Sequence, residues 1–160
     1  MKRIAQNTLF LFLPGILFFT EGCNRNAAYL DNHSGTWEIE SMQLDYLNAS
    51  GGVDSTVNAG ITGFFMFYNT PTTGTDPFYL CTNGITVKGV ERHTAHFWKA
   101  DRSTITMVNQ IGQTVPDRSY TISEHKRNAM TLDFTGAAAN LYGNYSGNVK
   151  EHIVLKRLKF

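Results

Sequence analysis

The chain has 160 residues, and its 14 basic and 13 acidic side chains leave the charge nearly balanced. No stripe of Lys and Arg with interleaved aromatic residues occurs, which excludes the electrostatic signature of a nucleic-acid-binding protein. The length suits one domain with a proper core, and the richness in Phe, Tyr and Thr favours β structure.

The amino-terminal segment has the layout of a secretory signal. Lys2 and Arg3 give a positive start, an apolar run follows over 9–19, and the small residue Gly22 precedes Cys23. The apolar run is about half of the roughly 20 residues that a membrane-spanning helix needs. We therefore expect a signal peptide and no permanent transmembrane helix.

A cysteine directly after a small residue resembles the lipobox of bacterial lipoproteins, although Thr20 and Glu21 depart from its usual pattern. The resemblance implies that residues 1–22 are removed and that Cys23 carries acyl chains. Each buried methylene contributes about 0.8 kcal/mol, so two or more chains anchor a protein stably. No acidic residue occurs over 24–26, which favours a periplasm-facing position on the outer membrane. Cleavage without lipidation, and a cytosolic chain, are the alternatives.

After the signal, residues 23–34 form a polar tether, and we expect the folded domain to span 35–160. Turn residues divide this domain into short segments with strand character. The pair Asn83-Gly84 is a strong signal for a tight hairpin turn. Loops are predicted over 45–60 and 136–148. The predicted strands are 36–44, 61–68, 78–81, 85–91, 93–100, 103–109, 118–124, 128–134 and 149–158.

This spacing predicts an all-β fold of roughly eight strands, either an antiparallel barrel or a sandwich. The residues Gly35-Thr36-Trp37 resemble the Gly-x-Trp signature of lipocalins. That resemblance implies an antiparallel eight-stranded up-and-down barrel in which Trp37 lies across the closed end and Arg157 packs over its indole. A guanidinium over an indole gains about 0.5–2 kcal/mol. Signal, tether and strands together resemble the small lipocalin-like lipoproteins of Bacteroidetes.

Nothing in the sequence predicts catalysis. His93 and His96 are three apart on a predicted strand, so they point to opposite faces and do not form a metal site. The remaining histidines, His33, His125 and His152, are interpreted as surface residues. No catalytic or phosphate-binding motif occurs, and we expect neither enzyme activity nor a cofactor. With Cys23 acylated, Cys81 has no disulfide partner and is expected to be a small buried hydrophobic side chain.

The barrel interior is the candidate site. The side chains expected to line or fill it are Ile39, Phe65, Phe67, Phe97, Ile122, Leu132, Phe134 and Leu155. A hollow interior would bind one small apolar molecule, and ligand binding is the leading hypothesis. We expect the protein to be a monomer that is held at the membrane by the acyl chains on Cys23. A filled interior would instead indicate a structural or protein-interaction module whose loops 45–60 and 136–148 contact a partner. A third alternative is an envelope hydrolase or isomerase with its site in the barrel mouth.

Overall fold

The computed structural model describes residues 33–71, 79–109, 117–138 and 145–159. Cys23, the predicted signal peptide and most of the predicted tether lie outside these residues. Among the described residues, no helix has the length and apolar character needed to cross a membrane. The described strands are β1 (Gly35–Leu47), β2 (Val53–Val57), β3 (Ile61–Pro71), β4 (Tyr79–Val87), β5 (Val90–Ala100), β6 (Thr104–Asn109), β7 (Arg118–Lys126), β8 (Ala129–Ala137) and β9 (Asn148–Arg157).

Eight of these strands close into an antiparallel barrel. Strands β3 to β9 pair in chain order, and β1 pairs with β3 on one side and with β9 on the other. Strand β2 pairs only with the second half of β1, where Leu44 faces Val57, and it adds a ninth strand to the sheet. The prediction of an all-β, eight-stranded up-and-down barrel is confirmed.

The hairpin predicted at Asn83-Gly84 is wrong, because both residues lie inside β4. The side chain of Asn83 faces inward and accepts a hydrogen bond from the Thr94 hydroxyl at 2.7 Å. The turn falls instead at Lys88 and Gly89, whose φ angles are 50° and 79°. Two successive positive φ angles are what a tight hairpin turn needs, and Lys is rarely selected for that conformation. The turn therefore lacks the Asn-Gly or Asp-Gly composition that marks such turns in a sequence.

The predicted loop over 45–60 is also partly wrong, because β1 continues to Leu47 and β2 occupies five residues of the stretch. Strand β2 is polar and mostly exposed, so it lacks the apolar alternation that marks a strand in sequence. It is held to β1 partly by the Thr56 hydroxyl, which donates to Asp45 Oδ1 at 2.7 Å. In the other predicted loop, 136–148, strand β8 extends to Ala137 and residues 139–144 lie outside the described residues.

Candidate ligand-binding site

One end of the barrel, here called the floor, is closed by Trp37 and Arg157. Trp37 is fully buried, and the guanidinium carbon of Arg157 lies 5.4 Å from the centre of its ring. The same guanidinium donates to the carbonyl of Ser34. Gly35 allows this arrangement because its φ is 112°, a backbone conformation that other residues rarely adopt. The predicted pairing of Trp37 with Arg157 is thus present, and it needs the glycine of the Gly-x-Trp motif.

Residues assigned by sequence to the tether also contact the floor. The carbonyl of His33 accepts a hydrogen bond from Trp37 Nε1 at 2.8 Å. The His33 side chain is buried, and its ring stacks on that of His125 with centres 4.3 Å apart. The interpretation of His33 as a surface residue is therefore wrong. His125 and His152 are exposed as expected, and His152 pairs with Asp133 at 2.6 Å.

Most of the side chains predicted to line the interior do face it. Six are buried in the core, and Ile122 is half-buried and packs against it. The buried six are Ile39, Phe65, Phe67, Leu132, Phe134 and Leu155. Phe97 is the exception: strand alternation places His96 and Trp98 inside, so Phe97 lies on the outer face, beside Leu80 and Val108 on the neighbouring strands. Its predicted place in the interior is wrong, because Trp98 occupies that position.

These inward side chains pack against one another through the lower and middle barrel. The ring of Phe67 lies 4.9 Å from that of Trp98 and 6.0 Å from that of Phe65, measured between ring centres. Phe65 in turn makes an edge-to-face contact with Tyr120 at 6.4 Å. Such spacings are those of packed aromatic pairs, so this part of the interior is filled by the protein itself.

A buried ionic cluster lies higher in the barrel, towards the end that carries the Lys88-Gly89 turn and is here called the upper end. Arg118 and Glu151 are 2% and 0% exposed, and Arg118 Nη1 donates to Glu151 Oε1. The Tyr120 hydroxyl donates to the other carboxylate oxygen at 3.0 Å. Burial and the nearby Glu151 charge raise the pKa of Tyr120, so its hydroxyl keeps its proton. The Arg118 guanidinium also lies 4.5 Å from the centre of the Phe134 ring.

Beside this cluster lies a pocket between β4, β5 and β7. It has about 310 Å³ of space, including the part open to solvent. Its lining residues are Asn83, Ile85, Arg92, Thr94, His96, Arg118 and Tyr120. Because part of this volume is open solvent, the enclosed space is below the roughly 300–1,000 Å³ of sites for drug-sized molecules, and it suits one small chemical group such as a ligand head group.

His96 is the most unusual member of this lining. It is 1% exposed, its Nε2 lies 3.1 Å from the Thr94 hydroxyl, and its Nδ1 has no hydrogen-bond partner in the described residues. Burial and the positive charge of Arg118 lower the pKa of His96, while Asp117 acts weakly in the opposite direction. The imidazole is therefore neutral in the empty pocket at neutral pH.

The buried polar group of Arg118, Tyr120 and Glu151 is not predicted by any motif in the sequence. A signal was present, because Glu151 lies in the same alternating phase of β9 as Val149, Ile153 and Leu155. A carboxylate among inward-facing apolar residues indicates a buried charge that needs a partner. Arg118 is in the same phase of β7 as Tyr120 and offers the matching charge. Nothing in the sequence shows that the two strands place them together.

Cys81 is fully buried, as predicted, and burial raises the pKa of its thiol. Within the described ranges, no group of three or more His, Cys, Asp or Glu side chains is placed to hold a metal ion. His93 and His96 do face opposite sides of β5, one exposed and one buried. The comparisons with known proteins add no assignment: no protein-family model matches the chain, and no curated protein matches it significantly.

Proposed function

We propose that the protein is a non-enzymatic, lipid-anchored protein of the bacterial cell envelope whose barrel binds a small, mainly apolar molecule. The observation that carries the proposal is the pocket beside His96, at the end of the barrel opposite the Trp37 floor. The lower interior is packed, so a ligand would enter from the upper end. Ile85 and the ring of Tyr120 offer it apolar contact, and the polar side chains would fix its orientation.

The pocket's size restricts the ligand. Because part of its roughly 310 Å³ is open to solvent, the site favours a molecule that inserts one end and leaves its body in the barrel mouth. Molecules that need full enclosure, such as a sterol or haem, fit this geometry poorly. The proposed ligand is therefore small or narrow.

Native mass spectrometry of the protein, extracted gently in detergent from bacterial membranes, tests the binding proposal. We expect a co-purifying small molecule, or a rise in melting temperature with a panel of small neutral apolar molecules. The variant Ile85→Phe, which fills the pocket, should abolish the effect. Thr86→Phe is the matched control, because Thr86 is the next residue of β4 and faces outward. An apo mass and no thermal shift in any ligand would refute binding.

The anchor rests on Cys23 and is tested separately. The variant Cys23→Ser should move the protein from the membrane fraction to the soluble fraction, because acyl chains supply the attachment. Cys81→Ser is the matched control: it removes the buried thiol, keeps Cys23 and should stay with the membranes. If Cys23→Ser still fractionates with membranes, the lipoprotein interpretation is wrong.

A second candidate function is the protein-interaction module, and one observation favours it. The outer face of β1 and β3 carries a shallow groove lined by Phe64, Met66 and Leu158, apolar side chains that the packed barrel does not need for its core. Such a groove is of the kind that contacts another protein. Failure of the ligand tests above would favour this candidate.

A further inference from the structure

A chain of hydrogen bonds fixes which nitrogen of His96 carries its proton. The Thr94 hydroxyl donates to Asn83 Oδ1 at 2.7 Å, so its oxygen is left to accept from His96 Nε2 at 3.1 Å. The neutral imidazole therefore carries its proton on Nε2, and Nδ1 has a lone pair. This buried Nδ1 meets no hydrogen-bond partner among the described atoms. Buried polar atoms are nearly always paired, so an unpaired one on a residue that lines a pocket indicates a missing group.

The charge around the pocket indicates what that group is. Arg92 and Arg118 both line the pocket, and none of its described lining residues is acidic. Glu151, which pairs with Arg118, is not among the lining residues. Two guanidinium groups and an imidazole around a space of this size suit a compact anion, because charge-assisted hydrogen bonds to oxyanions are the strong ones.

We propose that this pocket binds the anionic head group, a carboxylate or a phosphate, of the ligand, with His96 taking up a proton and donating from Nδ1. This inference rests on the proposed ligand-binding function and specifies its ligand as amphipathic. On binding, the proton comes from solvent and Nδ1–H donates to the anion. The protonated imidazole balances the charge of a carboxylate, and Arg92 balances the second charge of a phosphate, because the charge of Arg118 is already offset by Glu151. The apolar part of the ligand lies towards Ile85 and the barrel mouth.

The proton uptake follows from the surroundings of His96. Burial and Arg118 lower its pKa in the empty pocket, and an anion at Nδ1 opposes the effect of Arg118. Binding therefore raises the pKa, and affinity should increase as the pH falls. The titratable and charged groups around His96 are Arg92 on its own strand, Cys81 opposite it on β4, Arg118 and Tyr120 on β7, Asp117 just before β7, and Glu151 behind Arg118 on β9.

Calorimetric titration of the detergent-extracted protein with octanoate and octanol tests the proposal, because the two probes share a chain and differ in the charged head. We expect octanoate to bind at least about tenfold more tightly than octanol, the scale of one charge-assisted hydrogen bond. Its affinity should be higher at about pH 6 than at about pH 8, and buffers with different ionisation enthalpies should reveal proton uptake. Acetate, which lacks the tail, shows whether the head group binds alone.

Two variants and one control complete the test. His96→Phe keeps the ring volume, and it should remove the proton uptake and reduce octanoate binding to the level of octanol. Arg92→Gln changes an exposed side chain that does not hold the fold, and it should weaken octanoate severalfold while octanol is unchanged. Lys99→Gln removes an exposed cation from the outer face of the same strand and should change nothing.

The outcomes separate this inference from the proposed function. Equal binding of octanoate and octanol would overturn the anion site and leave the ligand-binding barrel intact. A preference for octanoate that survives both His96→Phe and Arg92→Gln would also overturn the site. Absence of binding by octanoate, octanol and acetate would overturn the inference. If, in addition, no small neutral apolar molecule raises the melting temperature, the proposed function is overturned too.

Discussion

Removal of Glu151 should destabilise the barrel strongly, because it would leave Arg118 charged and buried without its carboxylate. Both side chains are at most 2% exposed, so bulk water would solvate the Arg118 guanidinium poorly once the carboxylate is removed. Breaking a buried pair from one side costs about 3–5 kcal/mol, and the Tyr120 hydroxyl would lose its acceptor for about a further 1 kcal/mol. A domain of this size is stable by about 5–15 kcal/mol in total. The variant Glu151→Leu should therefore lose a large share of its stability.

Urea unfolding, followed by fluorescence of the buried tryptophans, measures this loss. We expect the midpoint of Glu151→Leu to fall by roughly 2 M, given the usual dependence of stability on urea. The double variant Arg118→Met/Glu151→Leu replaces both charges with apolar side chains and should recover most of the loss. Glu40→Leu, at an exposed position of β1, should stay within about 0.5 kcal/mol. A cost below about 1 kcal/mol for Glu151→Leu, or a double variant as unstable as the single, would refute the reasoning.

The remaining predictions concern the floor, a turn and the buried thiol. Trp37→Ala should lower the free energy of unfolding by about 3–5 kcal/mol in the same urea assay, and a loss below about 1 kcal/mol would mean that the indole does not close the barrel. The Asp101 carboxylate accepts hydrogen bonds from the backbone N–H groups of Ser103 and Thr104, each at 2.8 Å. These bonds, together with those from the hydroxyls of the same two residues, hold the pKa of the Asp101 carboxyl below its usual value. The ionised Asp101 thus stabilises the fold above about pH 4, and this stabilisation is lost as the pH falls through the pKa of the folded state. The melting temperatures of Asp101→Asn and of the unchanged protein should therefore converge in acid. A difference in melting temperature that stays constant with pH would contradict this. Cys81 should react with a thiol reagent only on unfolding, as followed by absorbance, and rapid reaction of the folded protein would show that its burial is transient.

The all-β fold was predictable from local signals, because alternating apolar positions identified most strands. The choice of a barrel, and the closure of one end by Trp37 and Arg157, came from the resemblance of Gly35-x-Trp37 to the lipocalin signature. The two wrong predictions about a turn and a loop also concern local structure. A turn with Lys at a left-handed position, and the polar strand β2, carry none of the composition on which strand and turn predictions depend.

The candidate site was not predictable, because it depends on register and not on pattern. His96 is far in sequence from Arg118, and the two line one pocket only because β5, β6 and β7 pair in a particular alignment. One residue of slip in either pairing would turn a whole strand's side chains to the other face. The sequence does place a charged residue, Glu151, among the inward-facing positions of a strand. This pattern indicates that the charge is buried, but it does not identify the residue that pairs with it.

The pairing of β1 with β9 along nearly its whole length, from Trp37 opposite Arg157 to Leu47 opposite Asn148, sets the order of events in folding. The two strands lie at opposite ends of the domain's sequence, so the ring cannot close until synthesis of the carboxyl-terminal strand is complete. A nascent chain that lacks β9 leaves β1 and β8 as unpaired edges, which invite aggregation. Closure of the barrel thus depends on the last strand of the domain, and a chain that lacks this strand is open to pairing with strands of other molecules.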